Sequence, residues 1–548
     1  MTCLKWARLI CLTAVNVLLL ASPGFAHEDS AETGEAPRIL GVLDFPNSGS
    51  REAQAFFVQG ILLLHSFEFD DARTAFLAAQ AIDPGFAMAI WGEALTLNHP
   101  LWAQQDRETA LEVLAKLPAN SEQSTTKREQ MYLAAAGVLY GEGEKPSRDI
   151  AYMQAMQGIY EAYPDDLDAA SFYALSILGS VYERDFRTYM KAAAILEEVF
   201  AKEPKHPGAA HYLIHSYDDQ VHAPLGLRAA RVYSEIAPGA AHAQHMVSHI
   251  YTSLGRWDDV VKANRTAMKV SEESMVRAGK PAAMRSKHSL HWLEYALLQQ
   301  GRFEEAKETM DMMKQDLVAA PAAYQDRHYV YMRSTWVCEI PLIDAQMPAL
   351  EAGQLSLGES SASHFASGFA YVASGDYEQA RTEWTKMVND IGAAKVMTVE
   401  QGLHEDDKAT SEDDYLLATI MSRSLESLLL FQEGDTDAAV ALLKTAVNDE
   451  NSRPAYYGPP HVPKPSGELL GEMLLVLNRA DEAVVEFETA LEQHTGRSRT
   501  LLGLSRAAKA AGDGTLSARA MHQLESNWKG DLDVLMQTDY PWLMVTSE

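Results

Sequence analysis

Between residues 53 and 86 the apolar and small side chains recur at helical intervals instead of alternating as in a strand. Phe56 and Gly60 lie one helical turn apart, and Ala72, Phe76 and Ala79 form a second stripe with i, i+4, i+7 spacing. The pattern predicts two helices folded back on each other. Gly60 lets them approach closely, and Ala72 and Ala79 are small where the second helix packs on the first. Phe76 reaches toward the next unit, and Pro84 ends the second helix because proline cannot continue the hydrogen-bond ladder.

The same offsets return along the chain. Residues 464–497 carry Gly471, Ala483, Phe487 and Ala490, and residues 361–394 carry Gly368, Tyr371, Gly375, Ala380 and Trp384. An inter-helix turn recurs as Gly301-Arg302-Phe303 before Ala306 in 287–320, and as Gly255-Arg256-Trp257 in 241–274. Pro204 and Pro238 close two further units, 34 residues apart. A 34-residue helical hairpin with these positions is a tetratricopeptide repeat, or TPR. The predicted fold is therefore all-α, a TPR superhelical solenoid of antiparallel helical hairpins. Units 53–86 and 87–120 are contiguous, as are 173–206, 207–240 and 241–274; residues 121–172 and 321–360 are helical in pattern but off register. This divides the chain into N-terminal repeats (46–172), central His-rich repeats (173–345) and C-terminal repeats (346–548). Residues 395–413 read as a charged loop. Pro454, Pro459, Pro460, Pro463 and Pro465 make 451–466 a rigid linker or lid.

A chain of 548 residues is too long for one ordinary core, in keeping with a repeat array. Its start reads as a secretory signal peptide, 1–26. Lys5 and Arg8 precede the short apolar stretch 9–21, and Gly24-Phe25-Ala26 offers small residues at the cleavage point. A flexible tail, 27–45, follows. No later segment suits a membrane span, so a periplasmic or secreted protein is expected. Cys338 is the one cysteine after residue 26, which rules out an intramolecular disulfide in the mature chain; its apolar neighbours make it a packing residue. The formal charge of −30 and the lack of a basic stripe exclude nucleic acid as a partner and suit cationic ligands or metal ions.

The histidines carry the chemical information. In a TPR array the first helix of each hairpin lines the concave groove. In unit 207–240 its inward positions are His211, His215, Asp218 and Asp219; in unit 241–274 they are His242, His245 and His249; in unit 287–320, His288, His291 and Tyr295. His65 and His99 occupy matching places in the first two units, and His222 follows the Asp pair. His211 and His215 are i, i+4 neighbours, and His245 and His249 repeat them on a helix roughly 8–10 Å away. Four imidazoles could thus converge on one transition metal (zinc, copper or iron), assisted by Asp218 or Asp219; His65, His99, His222, His242, His288 and His291 would extend the site. Two other readings of the same groove stand beside it: a metal-free surface for a peptide or protein partner, and a metal-dependent hydrolase or oxidoreductase using an open coordination position. No phosphate loop and no nucleophile elbow is present, so no catalytic residue is assigned.

Several runs resemble a family of bacterial exported TPR proteins whose chemistry is unassigned. They are Asn98-His99-Pro100-Leu101-Trp102, the stretch His211 to Asp219, His222 to Gly226, His245 to Ile250, and Glu468 to Glu472. Val247 stands where that family has proline, and both flanking histidines are kept. The resemblance implies the fold and export and supplies no reaction; TPR arrays in general are scaffolds for peptides and proteins. On this reading, N-terminal sequencing of the exported protein should begin at His27; a chain that retains Met1 or Leu9 would contradict the cleavage.

Overall fold

The computed structural model describes residues 38–118, 121–182, 184–321, 326–340, 355–397, 410–453 and 457–536. Residues 1–26, which read as a signal peptide, residues 27–37, and most of the charged loop lie outside them. Among the described residues the repeat pattern folds as successive antiparallel helix pairs. Strand is confined to two short pairings, Asn98–His99 with Gln104–Gln105 and Val396–Met397 with Thr410–Ser411.

In the first hairpin, helix Gln54–His65 lies against Phe69–Ile82, and Ala72, Phe76 and Ala79 are buried as the spacing predicts. Phe56 is instead 40% exposed, and Phe57, one position on, takes the buried place. The glycines do what close packing requires. A Cβ on Gly60 would stand 2.6 Å from the Phe76 ring, and one on Gly92 in the next hairpin 2.4 Å from it. Phe487 repeats this arrangement between Gly471 and Gly503, at 2.8 and 2.4 Å. The Gly-Arg turns also act as predicted: Gly255 and Gly301 adopt φ of +64° and +67°, and the amides of Arg256 and Arg302 bond back to Tyr251 and Leu297.

The first helices of the central hairpins pack side by side as an inner layer: Leu167–Gly179, Pro207–Tyr217, Ala241–Ser253, Lys287–Gln299 and Asp326–Glu339. The coil then closes on itself. Helix Gln54–His65 packs on Pro207–Tyr217, and the Glu68 carboxylate accepts the His242 amide at 2.9 Å, capping a helix whose own N-cap, Ala240, has no side-chain acceptor. At the other end Trp257 donates its indole N–H to Gly496 O, and the Lys529 amide donates to Gln300 O.

Two expectations change. Of the stretch 27–45 expected to be loose, Leu40 and Phe45 are buried, and residues 39–42 bond to the chain at Gly239 and Lys205, because Phe45 finds Phe57, Trp91 and Tyr132. The boundary at 172/173 falls inside helix Leu167–Gly179, which starts early because Asp166 accepts from the Ala169 amide. Residues from Ile39 onward form one compact unit.

Substituting Gly92→Val should lower stability by about 1–3 kcal/mol, since the added atoms must displace the Phe76 ring. Urea unfolding checks this; an unchanged midpoint would show that the ring has room to move.

Candidate metal centre

The inner helices turn their imidazoles toward one another inside the closed coil. His211 and His245 are 0% and 2% exposed. Helix Pro207–Tyr217 starts with proline at its first position and is capped by His206, whose Nδ1 accepts from the Ala209 amide at 3.2 Å. That start sets the rotation that carries His211 and His215 inward, one turn apart.

Hydrogen-bond acceptors assign the tautomers. His211 Nδ1 lies 2.7 Å from the carbonyl oxygen of His65, so it carries the proton and leaves the Nε2 lone pair free. That Nε2 faces His215 Nε2 at 3.1 Å and His242 Nε2 at 3.2 Å. His245 Nδ1 donates to Asn264 Oδ1 at 2.7 Å; the amide is oriented by its own Nδ2, which donates to Val260 O. His249 Nδ1 donates to Asp218 Oδ2 at 2.6 Å. Both remaining Nε2 atoms therefore present lone pairs to each other, 2.9 Å apart. Two acceptors at that distance repel unless a cation lies near both. Nitrogens bound to one tetrahedral ion at about 2.0–2.1 Å stand roughly 3.3 Å from each other, close to the separations seen.

The structure thus brings two triads together, His211, His215 and His242, and His245, His249 and His288, each with three ligand atoms within 4.8 Å of one another. They adjoin: the His215 and His249 rings are 6.3 Å apart, as are those of His242 and His245. A third grouping, His65, Asp168 and His206, has the opposite character. His65 reaches Asp168 at 2.9 Å and the Tyr212 hydroxyl at 3.0 Å, and His206 Nε2 stands 3.3 Å from the same carboxylate oxygen. Both ring nitrogens of His65 are hydrogen-bonded there, so it reads as a support beneath the His65 carbonyl that orients His211.

Burial is the largest influence on these rings. It pushes His211 down to about 3 against the opposing His65 carbonyl bond, and holds His215, His242, His245 and His288 well below the ordinary imidazole value, with neighbouring imidazoles adding to the effect. For these five rings burial favours the neutral form, the one that binds metal. Aromatic walls enclose both triads. Phe67, at a left-handed φ of 54°, sets its ring 4.4 Å from that of His211, and Trp292 lies 4.0 Å from His288 and 5.3 Å from His249. The proline-rich segment crosses the second triad: Tyr457 faces His249 at 5.6 Å, and Gly458 sits where a Cβ would meet the Trp292 ring.

Set beside the sequence, the single four-histidine point becomes two triads. Asp218 orients His249 and is not placed as a ligand of either triad. Asp219 faces away, accepting from the amides of Val221 and His222 and from the His222 ring. His222 leaves the site with it and packs on Phe186; His99 stacks on Phe69 at 4.1 Å; His65 belongs to the support; and His291 lies beside His328, their Nδ1 atoms 3.4 Å apart. His206, Asp168, Asn264 and His328 escaped the sequence reading because none sits in a groove position of a recognised unit. His461, which read as an ordinary residue, stacks on Tyr331 at 5.0 Å near that end of the row.

No family model matches the chain, and no curated protein does. Solved structures similar to it include the human IFIT1 dimer with m7Gppp-AAAA (12% identity over 86% of this chain and 95% of that one, TM-score 0.34). The TPR domain of P58(IPK) is similar at 14% identity over 84% and 98%, TM-score 0.23. Yeast Tom70 is similar at 11% identity over 89% and 97%, TM-score 0.26. The helix pairs described above make the chain an all-α, TPR-like helical repeat. Among the described residues no helix is long and apolar enough to cross a membrane.

The depressed imidazoles have a consequence for stability. Below the ordinary imidazole pKa of ~6.5 the unfolded chain takes up protons that the folded rings refuse, so stability falls as pH falls. The urea midpoint of chelator-treated protein should drop as pH falls from about 6.5 to about 5; a flat profile would mean the rings are accessible to protons.

Proposed function

We propose that the chain is an exported helical-repeat protein that binds two transition-metal ions on the inner face of its coil. His211, His215 and His242 would hold one, and His245, His249 and His288 the other. The observation that carries this reading is the pair of Nε2 lone pairs of His245 and His249, 2.9 Å apart while both Nδ1 protons are committed to Asn264 and Asp218. Ligating imidazoles are oriented in this way, with the distal nitrogen tied to a carboxylate, amide or carbonyl oxygen. All-imidazole donors suit zinc, copper or iron. Export is supported by the N-terminal pattern and the resemblance to exported bacterial TPR proteins.

A peptide laid along the concave surface is less well supported, because the first hairpin and the Tyr457 segment already occupy it. A metal-dependent enzyme keeps one observation in its favour: three protein ligands leave a fourth position open for water or substrate. Turnover that chelation abolishes and zinc restores would support it.

Protein purified without chelator and saturated with zinc should hold two equivalents by elemental analysis. His242→Ala should lose one and His249→Ala the other, with unchanged helical circular dichroism. Trace metal in the wild type under zinc-replete conditions would end the proposal.

A further inference from the structure

Beside the first triad lies a buried cation that nothing in the fold fully uses. The Arg184 side chain is 8% exposed, and its guanidinium lies over the Tyr189 ring at 4.4 Å. Its Nη2 makes only long contacts, 3.5 Å to an Asp219 carboxylate oxygen and 3.5 Å to the carbonyl of His215, itself a member of the triad. Its Nε is buried with no hydrogen-bond partner. In a chain with formal charge −30, a buried arginine without a short carboxylate fork is conspicuous, because leaving guanidinium donors unsatisfied away from water is costly.

The charges around the row point the same way. The triads are all-imidazole and contribute no negative charge. The carboxylates that bond to residues of the triads are Glu68, which accepts the His242 amide, and Asp218, which accepts from the His249 ring; Asp219 is turned away from the rings, toward His222, and meets Arg184 only at 3.5 Å. Two divalent ions and Arg184 would outweigh these three carboxylates even with Asp219 counted, leaving an enclosed site with net positive charge. Such a site is completed by an anion. Arg184 favours a particular kind: its planar fork fits two oxygens of one carboxylate or phosphate group, while a coordinating oxygen could fill the open position of the ion beside His215.

We propose that the groove binds a small oxyanion, a phosphate- or carboxylate-bearing ligand, between the metal held by His211, His215 and His242 and the guanidinium of Arg184. This rests on the metal-binding reading above. It makes Arg184 a ligand-binding residue of that site and assigns Tyr189 the role of holding the guanidinium in plane from below.

Cobalt(II)-loaded protein tests it, since the visible bands of cobalt respond to a change of ligand. Inorganic phosphate, acetate and chloride are titrated separately into wild type, Arg184→Met and Arg184→Lys, with cobalt content measured for each. The expected result is a band shift with phosphate or acetate in wild type, whichever binds tighter naming the source. In Arg184→Met that affinity should fall about tenfold or more at unchanged cobalt content, with partial recovery in Arg184→Lys, which keeps the charge but not the fork. Equal phosphate and acetate affinities in wild type and Arg184→Met would overturn the assignment, as would a chloride response as strong as theirs. Full cobalt loading with no response to any anion sinks the oxyanion alone; absence of cobalt uptake by the wild type sinks the metal reading and the oxyanion with it.

Discussion

The imidazole row depends on how each distal nitrogen is occupied. A buried histidine is unremarkable when both ring nitrogens find partners, as His65 does with Asp168 and Tyr212. His211, His245 and His249 differ. One nitrogen of each is tied to a fixed oxygen, and the other is left facing a second imidazole. The three oxygens come from separate parts of the chain: the end of the first helix, the long helix Trp257–Arg277, and the turn after Tyr217. The arrangement exists only when those elements are docked together.

Docking is also what disfavours protonation of His211 and His245. An open solenoid would leave the concave face wet and its histidines near their ordinary value. Here the first hairpin packs against helix Pro207–Tyr217, Glu68 caps helix Ala241–Ser253, and the proline-rich segment lies over Trp292. The coil converts a groove into an enclosed row, and enclosure suppresses protonation. The same enclosure concentrates any charge placed there, which is why a single loosely held arginine at its edge matters to what else can enter.

Much of the fold was readable from the sequence because a 34-residue period constrains each position many times over. Gly60, Phe76, Gly471 and Phe487 announce the same contact twice. The paired histidines were readable for the same reason. His242 and His288 were readable only as groove positions that could extend the site, not as the third members of two separate triads. Periodicity says that His211 and His245 share a face, but His242, one turn ahead of His245, reaches back to His211 and splits the expected cluster. His288 comes from a hairpin displaced by the long helix Trp257–Arg277, and His328 from a stretch with no register at all. Residues 39–45 looked like a tail because nothing local shows that Phe45 will find an aromatic nest contributed by three other helices.

The central claim is spatial: two ions, each within bonding distance of three named imidazoles. Anomalous diffraction from crystals of the zinc-loaded protein, collected on both sides of the zinc edge, measures it directly. The account predicts two strong peaks inside the coil, one ringed by His211, His215 and His242 and the other by His245, His249 and His288. Peaks confined to surface carboxylates, or a single peak at His65, Asp168 and His206, would contradict it.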